Sequence, residues 1–226
     1  MTTVITGASR GIGRATALEL ARRGRPLALI GRKSPGLDDT AESARRAGVR
    51  VETFACELEQ PEQIEIAAER ILDRHGAPDA VIHNAAVIHR APVEELSNAD
   101  WNRQIDVNLR APFLLTRALL PEMKRSRKGR FVFVSSISGT VGTPLSSAYN
   151  ASKWGVIGFM KSLAEELKDS GVMAVAILPG SVDTKMLDGS GFVPRINADE
   201  VAKTIVHYAN EASLAHNGGV VEMFGV

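Results

Sequence analysis

Short apolar runs alternate with longer segments of helical periodicity along the whole chain, and this rhythm constrains the fold more than any other feature of the sequence. Apolar strands without polar alternation are what a parallel sheet covered on both faces requires, and the helical segments between them supply the covers. Seven runs predict strands near Thr2 to Thr6, Pro26 to Ile30, Arg50 to Ala55, Ala80 to His83, Arg130 to Ser135, Met173 to Leu178 and Val220 to Phe224. Helical patterns span about Ile12 to Arg23, Leu37 to Ala47, Pro61 to His75, Asn98 to Arg125, Tyr149 to Lys168 and Ala198 to Glu211. Local punctuation agrees with these elements. Arg22 and Arg23 sit where the helix dipole favours cations, Gly24 follows them, and Pro61 and Gly76 bracket the third helix in the usual asymmetric way. Right-handed crossovers over such alternating elements predict an open, doubly wound parallel sheet of order 3-2-1-4-5-6-7 with helices on both faces.

With 226 residues, and without a repeat, low-complexity tract or dividing linker, the chain is read as one α/β domain over residues 1–226. The Asp188-Gly189-Ser190-Gly191 segment reads as a surface loop. Lysines and arginines number 27 against 26 aspartates and glutamates, a balance that argues against nucleic-acid binding, which needs uncompensated cations to displace counterions from phosphates. Cys56 is the only cysteine, so neither an intrachain disulfide nor a thiolate metal cluster can form within one chain. The five histidines, His75, His83, His89, His207 and His216, show no tight ligand spacing, so no metal is expected. Thr2 to Thr6 lacks the charge and length of a signal peptide, and no run reaches the length of a membrane span; a cytoplasmic location is expected.

The segment Gly7-Ala8-Ser9-Arg10-Gly11-Ile12-Gly13 joins the first strand to the first helix, where unpaired helix N–H groups can meet a pyrophosphate. Its spacing, Gly-x3-Gly-x-Gly, differs from the Gly-x-Gly-x-x-Gly fingerprint, so by itself it also fits a tight strand-to-helix connection. The second strand runs into Gly31-Arg32-Lys33, with no acid before Asp38. A carboxylate there would take the ribose hydroxyl of NAD, whereas an arginine suits the 2′-phosphate of NADP. NADP(H) is favoured, with Arg32 first and Arg10 second as its phosphate partners, and NAD(H) remains an alternative. Tyr149 and Lys153 lie one helical turn apart, so a phenol and an ammonium share a face, and a cation beside a phenol lowers its pKa toward use in proton transfer.

Taken in order, Thr6 to Gly13, His83-Asn84-Ala85-Ala86, Asn108, Ser136, Tyr149-x3-Lys153 and Pro179-Gly180-Ser181-Val182-Asp183-Thr184 resemble the successive motifs of the short-chain dehydrogenase/reductase family, over nearly the whole chain. Within it the pattern looks most like the 3-oxoacyl-[acyl-carrier-protein] reductase branch. The resemblance implies a Rossmann-type sheet and a catalytic tetrad of Asn108, Ser136, Tyr149 and Lys153. Ser136 would position the reacting oxygen, Tyr149 would move the proton, Lys153 would lower the phenol's pKa and hold the nicotinamide ribose, and Asn108 would anchor a proton-relay water. Ser136 is preferred to Ser135 and Ser138 by its spacing from Tyr149. The resemblance also assigns cofactor contacts to Gly7, Ser9, Arg10, Gly11, Ile12, Gly13, Arg32, Glu57, Leu58, Asn84, Ala85, Pro179, Gly180, Val182 and Thr184. Two departures stand out: Ala86 replaces a usual glycine, and Glu57 a usual aspartate near the adenine.

The implied activity is interconversion of a carbonyl and a secondary alcohol with NADP(H), with a 3-oxoacyl thioester as the leading substrate. The alternatives are an NAD-dependent alcohol or sugar dehydrogenase and a non-catalytic NADP(H)-sensing regulator. Lys185 to Asn197 would form a short cover over the substrate, and the basic run Lys124 to Arg130 offers a docking place for an acidic carrier. The family also implies that the helices Asn98 to Arg125 and Tyr149 to Lys168 pair across subunits in a homodimer or homotetramer.

Overall fold

A computed structural model describes residues 2–225. The strands are β1 (Thr3–Thr6), β2 (Leu27–Gly31), β3 (Val51–Ala55), β4 (Ala80–His83), β5 (Gly129–Val134), β6 (Val172–Pro179) and β7 (Val220–Met223). They form a single parallel sheet in the order β3-β2-β1-β4-β5-β6-β7, as the alternation of elements predicts. Every residue of β1, β4 and β6 is buried, which is why these strands read as largely apolar runs, with only Thr3, Thr6 and His83 polar among them.

The helices are α1 (Gly11–Arg22), α2 (Pro35–Arg46), α3 (Pro61–His75), α4 (Asn98–Ile105), α5 (Ala111–Arg125), α6 (Ser147–Glu166) and α7 (Ala198–Asn210). One core layer lies between the sheet and α3, α5 and α6, and is built on Ile64, Ile71, Leu115, Leu119, Phe131, Phe133 and Met160. The other, under α1, α2 and α7, uses Leu20, Leu29, Ile82, Val175, Ile177, Val201 and Ile205. The sheet reverses its winding between β1 and β4, and the C-terminal ends of those strands open onto the crevice where such sheets bind ligands.

Side-chain caps mark three of the seven α-helix starts among the described residues. Ser34 accepts from Leu37 N in α2, Ser97 from Asp100 N in α4, and Asn197 and Glu200 close a reciprocal box on α7. Among the described residues α1 has neither a side-chain cap nor an acid in its first turn, so its leading N–H groups face the crevice without a protein anion.

The predicted helix Asn98 to Arg125 is corrected by the structure. It is two α-helices joined by a π-helical turn, Asp106–Arg110, in which Ala111 N bonds Asp106 O. Pro112 is the cause visible in the sequence, because it has no N–H to give the carbonyl of Asn108 four residues earlier.

His83 behaves as a core residue. It is 4% exposed, stacks on Phe133 at 4.7 Å, bonds Thr116 Oγ1 at 2.9 Å and is kept neutral by burial, which pushes its pKa down to about 3.

The basic run also proves more occupied than its composition suggests. Lys124 reaches Glu166 O, Arg125 pairs with Glu122, Arg127 reaches Asp169 O, Lys128 pairs with Asp79 at 2.7 Å, and Arg130 donates to Ala212 O.

Candidate active site

A cleft of about 710 Å³ runs along the C-terminal edge of the sheet from the glycine turn to the start of α6. Its floor depends on close backbone approach. Gly7 has φ +73, and a Cβ there would stand 2.7 Å from Ala85 Cα. A Cβ on Gly13 would meet Gly7 O at 2.3 Å and Asn84 Nδ2 at 2.4 Å. Gly13 therefore packs α1 beneath the turn and is absent from the cleft wall, whereas Gly7, Ser9, Arg10, Gly11 and Ile12 line it.

Thr6 and Asn84 tie the ends of β1 and β4 together. Thr6 Oγ1 accepts from Asn84 N at 3.1 Å and Ala85 N at 3.0 Å, while Asn84 Nδ2 donates to Thr6 O and Gly7 O, both at 3.1 Å. Ala86 lies outside the left-handed region, so its methyl costs no backbone strain.

At the adenosine end Arg32, Lys33, Ser34, Glu57 and Leu58 line the cleft. Arg32 and Lys33 are exposed, and neither is in an ion pair among the described residues. Sequence reasoning missed one feature here: Arg103 of α4 pairs with Glu59 at 3.2 Å across the same wall. The opposite wall is Pro179, Gly180, Val182 and Thr184, and Thr184 crosses so near the glycine turn that a Cβ on Gly11 would lie 3.1 Å from its Cγ2.

The first turns of α6 carry Tyr149 and Lys153 into the other end of the cleft. The Lys153 ammonium lies 5.5 Å from the centroid of the Tyr149 ring and donates to Val134 O at 2.9 Å. Both residues are buried. Burial pushes the Tyr149 phenol up to about 12, against the downward pull of a hydrogen bond with Ser136 and the charge of Arg90. Burial also pushes Lys153 down to about 8. Ser136 and Arg90 thus join the neighbouring Lys153 ammonium as groups that bear on the phenol.

Ser136 caps a short 3-10 turn, Ile137–Gly139, and accepts from Ser138 N at 3.1 Å. Ser135 instead donates to Lys153 O at 3.1 Å and braces α6, so the three serines are separated by their partners.

Asn108 lies behind the wall. Its Oδ1 accepts from Val87 N at 2.8 Å, and its Nδ2 donates to Val87 O at 2.9 Å and Ser152 Oγ at 3.0 Å. Ser152 in turn donates to Tyr149 O at 2.7 Å. The Asn108 side chain is therefore spent clamping the loop after β4 to the helix that carries the phenol. Pro112, with no N–H, cannot give the Asn108 carbonyl its usual helical donor.

A family profile described as short chain dehydrogenase matches residues 1–191 of this sequence. The chain belongs to the short-chain dehydrogenase family. Relatives of this short-chain dehydrogenase include the 3-oxoacyl-[acyl-carrier-protein] reductase FabG of Thermotoga maritima, 30% identical over 234 residues that cover 98% of this chain and 95% of the relative. They also include human estradiol 17-beta-dehydrogenase 11, 31% identical over 209 residues that cover 90% of this chain and 70% of the relative. A crystal structure of levodione reductase superposes with a TM-score of 0.92 at 27% identity, covering 99% of this chain and 96% of that one. Among the described residues no helix is long and apolar enough to cross a membrane, and no group of three or more His, Cys, Asp or Glu could hold a metal ion.

Proposed function

We propose that this short-chain dehydrogenase reduces a carbonyl to a secondary alcohol, and catalyses the reverse oxidation, with NADP(H). The observation that carries the reading is the single continuous cleft, which joins an uncapped helix start and two unpaired cations at one end to a buried phenol beside an ammonium at the other. A dinucleotide fits these residues. The glycine turn allows the close backbone packing that shapes the cleft floor, α1 offers its N–H groups to a pyrophosphate, Arg32 and Arg10 suit a 2′-phosphate, and Lys153 suits the nicotinamide ribose. Bound there, the reduced cofactor supplies a hydride to a carbonyl carbon, and its oxidised form accepts one from an alcohol carbon.

The protein's own groups handle the oxygen. Ser136 donates a hydrogen bond to it, Tyr149 gives it the proton as negative charge develops, and the Lys153 ammonium favours the phenolate that remains. Asn108 acts on the chemistry by holding Val87 and Ser152, which frame the phenol. The relatives named above differ in their substrates, so the reading rests on the carbonyl and alcohol chemistry. A 3-oxoacyl thioester is one member of that class. The reading includes a cytoplasmic location and a homodimer or homotetramer, the association being supported by exposed Phe113 on α5 and Trp154 on α6.

The test is consumption of reduced cofactor, followed at the nicotinamide absorbance band, with a set of ketones and both dinucleotides. NADPH is expected to be used in preference to NADH, and Arg32→Ala to lower kcat/KM for NADPH by at least about tenfold, the roughly 1.5 to 3 kcal/mol of a charge-assisted hydrogen bond, while affecting NADH little. Equal losses with both cofactors would assign Arg32 a structural role. Binding of NADPH without turnover of any ketone would favour a sensor.

A further inference from the structure

Arg90 stands in the cleft wall at the end occupied by Tyr149, and the reaction as described above has no task for it beyond its effect on the phenol. It follows β4 on the loop that Asn108 clamps. Its Nη2 donates to Met186 O at 3.1 Å and its Nη1 to Asp188 O at 3.3 Å, so it clasps the segment that covers the substrate end. A guanidinium has five N–H groups. These two bonds leave the Nε–H and one N–H on each terminal nitrogen.

Carbonyls offer only partial charges, and among the described residues Arg90 has no carboxylate within ion-pair distance; nearby Asp100 faces His89 instead, at 3.8 Å. The same cleft is lined by the apolar Val87 and Ile88 of its own loop and, beside Lys185, by Met186, Leu187 and Phe192 of the covering segment. A half-buried cation with N–H groups to spare offers a bound anion a charge-assisted hydrogen bond.

We propose that Arg90 is the specificity-determining residue of the substrate end and holds a carboxylate, so that the substrates are oxo acids and the corresponding hydroxy acids. Their apolar remainder lies against Val87, Ile88, Met186, Leu187 and Phe192. The inference rests on the carbonyl-reducing reading of the same cleft and narrows it. Arg90 is close enough for its charge to act on the Tyr149 phenol, so the carboxylate and the reacting carbonyl belong to one short molecule. A carrier-bound thioester has lost that carboxylate, and the phosphate of its arm lies too far along the chain to reach the same cation. Gly189 and Gly191, at φ +71 and +77, follow the clasped carbonyls in open space and let the cover settle onto the substrate. One guanidinium then joins the cover to the anion.

The test compares short-chain oxo acids with their methyl esters and thioesters, using NADPH and reading kcat/KM. The unaltered enzyme is expected to favour each acid over its ester by about tenfold or more, the usual weight of a charge-assisted pair. Arg90→Gln is expected to bring that ratio near unity, mainly through KM for the acid, and Arg90→Lys to restore part of it. The ratio is the readout because loosening the cover affects acid and ester alike. An ester or thioester used as well as the acid by the unaltered enzyme overturns the inference and leaves the carbonyl-reducing reading standing, whether or not the variants fold. An unchanged ratio in a folded Arg90→Gln overturns it as well. Failure of every ketone, charged or neutral, overturns the reading beneath it.

Discussion

Tyr149→Phe is expected to fold, to bind NADPH with little change and to lose turnover by about 10² to 10⁴, the usual contribution of a positioned acid or base. The substitution keeps the ring that packs against the Lys153 stem and deletes only the hydroxyl that meets Ser136. The phenol is 8% exposed and raised to about 12 by burial, so at neutral pH it holds its proton and is ready to give it to a reacting oxygen. The measurement is turnover of a ketone for which chemistry limits the rate, with thermal unfolding and NADPH titration as controls. Near-normal turnover would mean the proton comes from elsewhere.

Lys153→Ala is expected to act on two properties at once. Turnover falls by about 10² or more, because the charge that stabilises the developing phenolate is gone, and affinity for NADPH falls because the ribose loses a donor. The same side chain predicts the pH profile of the unaltered enzyme. Burial pushes Lys153 down to about 8, and an amine is charged below its pKa, so kcat/KM for reduction is expected to decline as pH rises through about 8. A kcat/KM that stays level to pH 9 or beyond, roughly a full unit above that value, would show that the ammonium form is not required.

The strand order was legible because parallel strands buried on both faces are mostly apolar, as β6 and the centres of β1 and β4 are. The π turn at Asp106–Arg110 was hidden, since a single wide turn hardly disturbs helical periodicity over a long segment; Pro112 was the signal available. Gly13 and Asn108 show how a motif leaves its physics unstated. Both carry the family resemblance, yet one acts by packing a helix against Gly7 O and the other by clamping Val87, contacts that arise only in three dimensions. Arg90 carried no pattern. A lone base in a loop acquires meaning when the segment after β6 folds back over it and offers two carbonyls. The basic run shows the converse, because its partners, Glu166, Asp79 and Ala212 among them, come from distant parts of the chain.

The central claim is that this cleft delivers a hydride from a nicotinamide cofactor to a carbonyl carbon. It is tested most directly with NADPH that carries deuterium at both hydrogen positions of C4 of the nicotinamide, a ketone substrate, and mass spectrometry of the alcohol formed. The account predicts an alcohol heavier by a single deuterium, located on the carbon that bore the carbonyl. An alcohol without the label, or cofactor that binds and forms no alcohol, would contradict it.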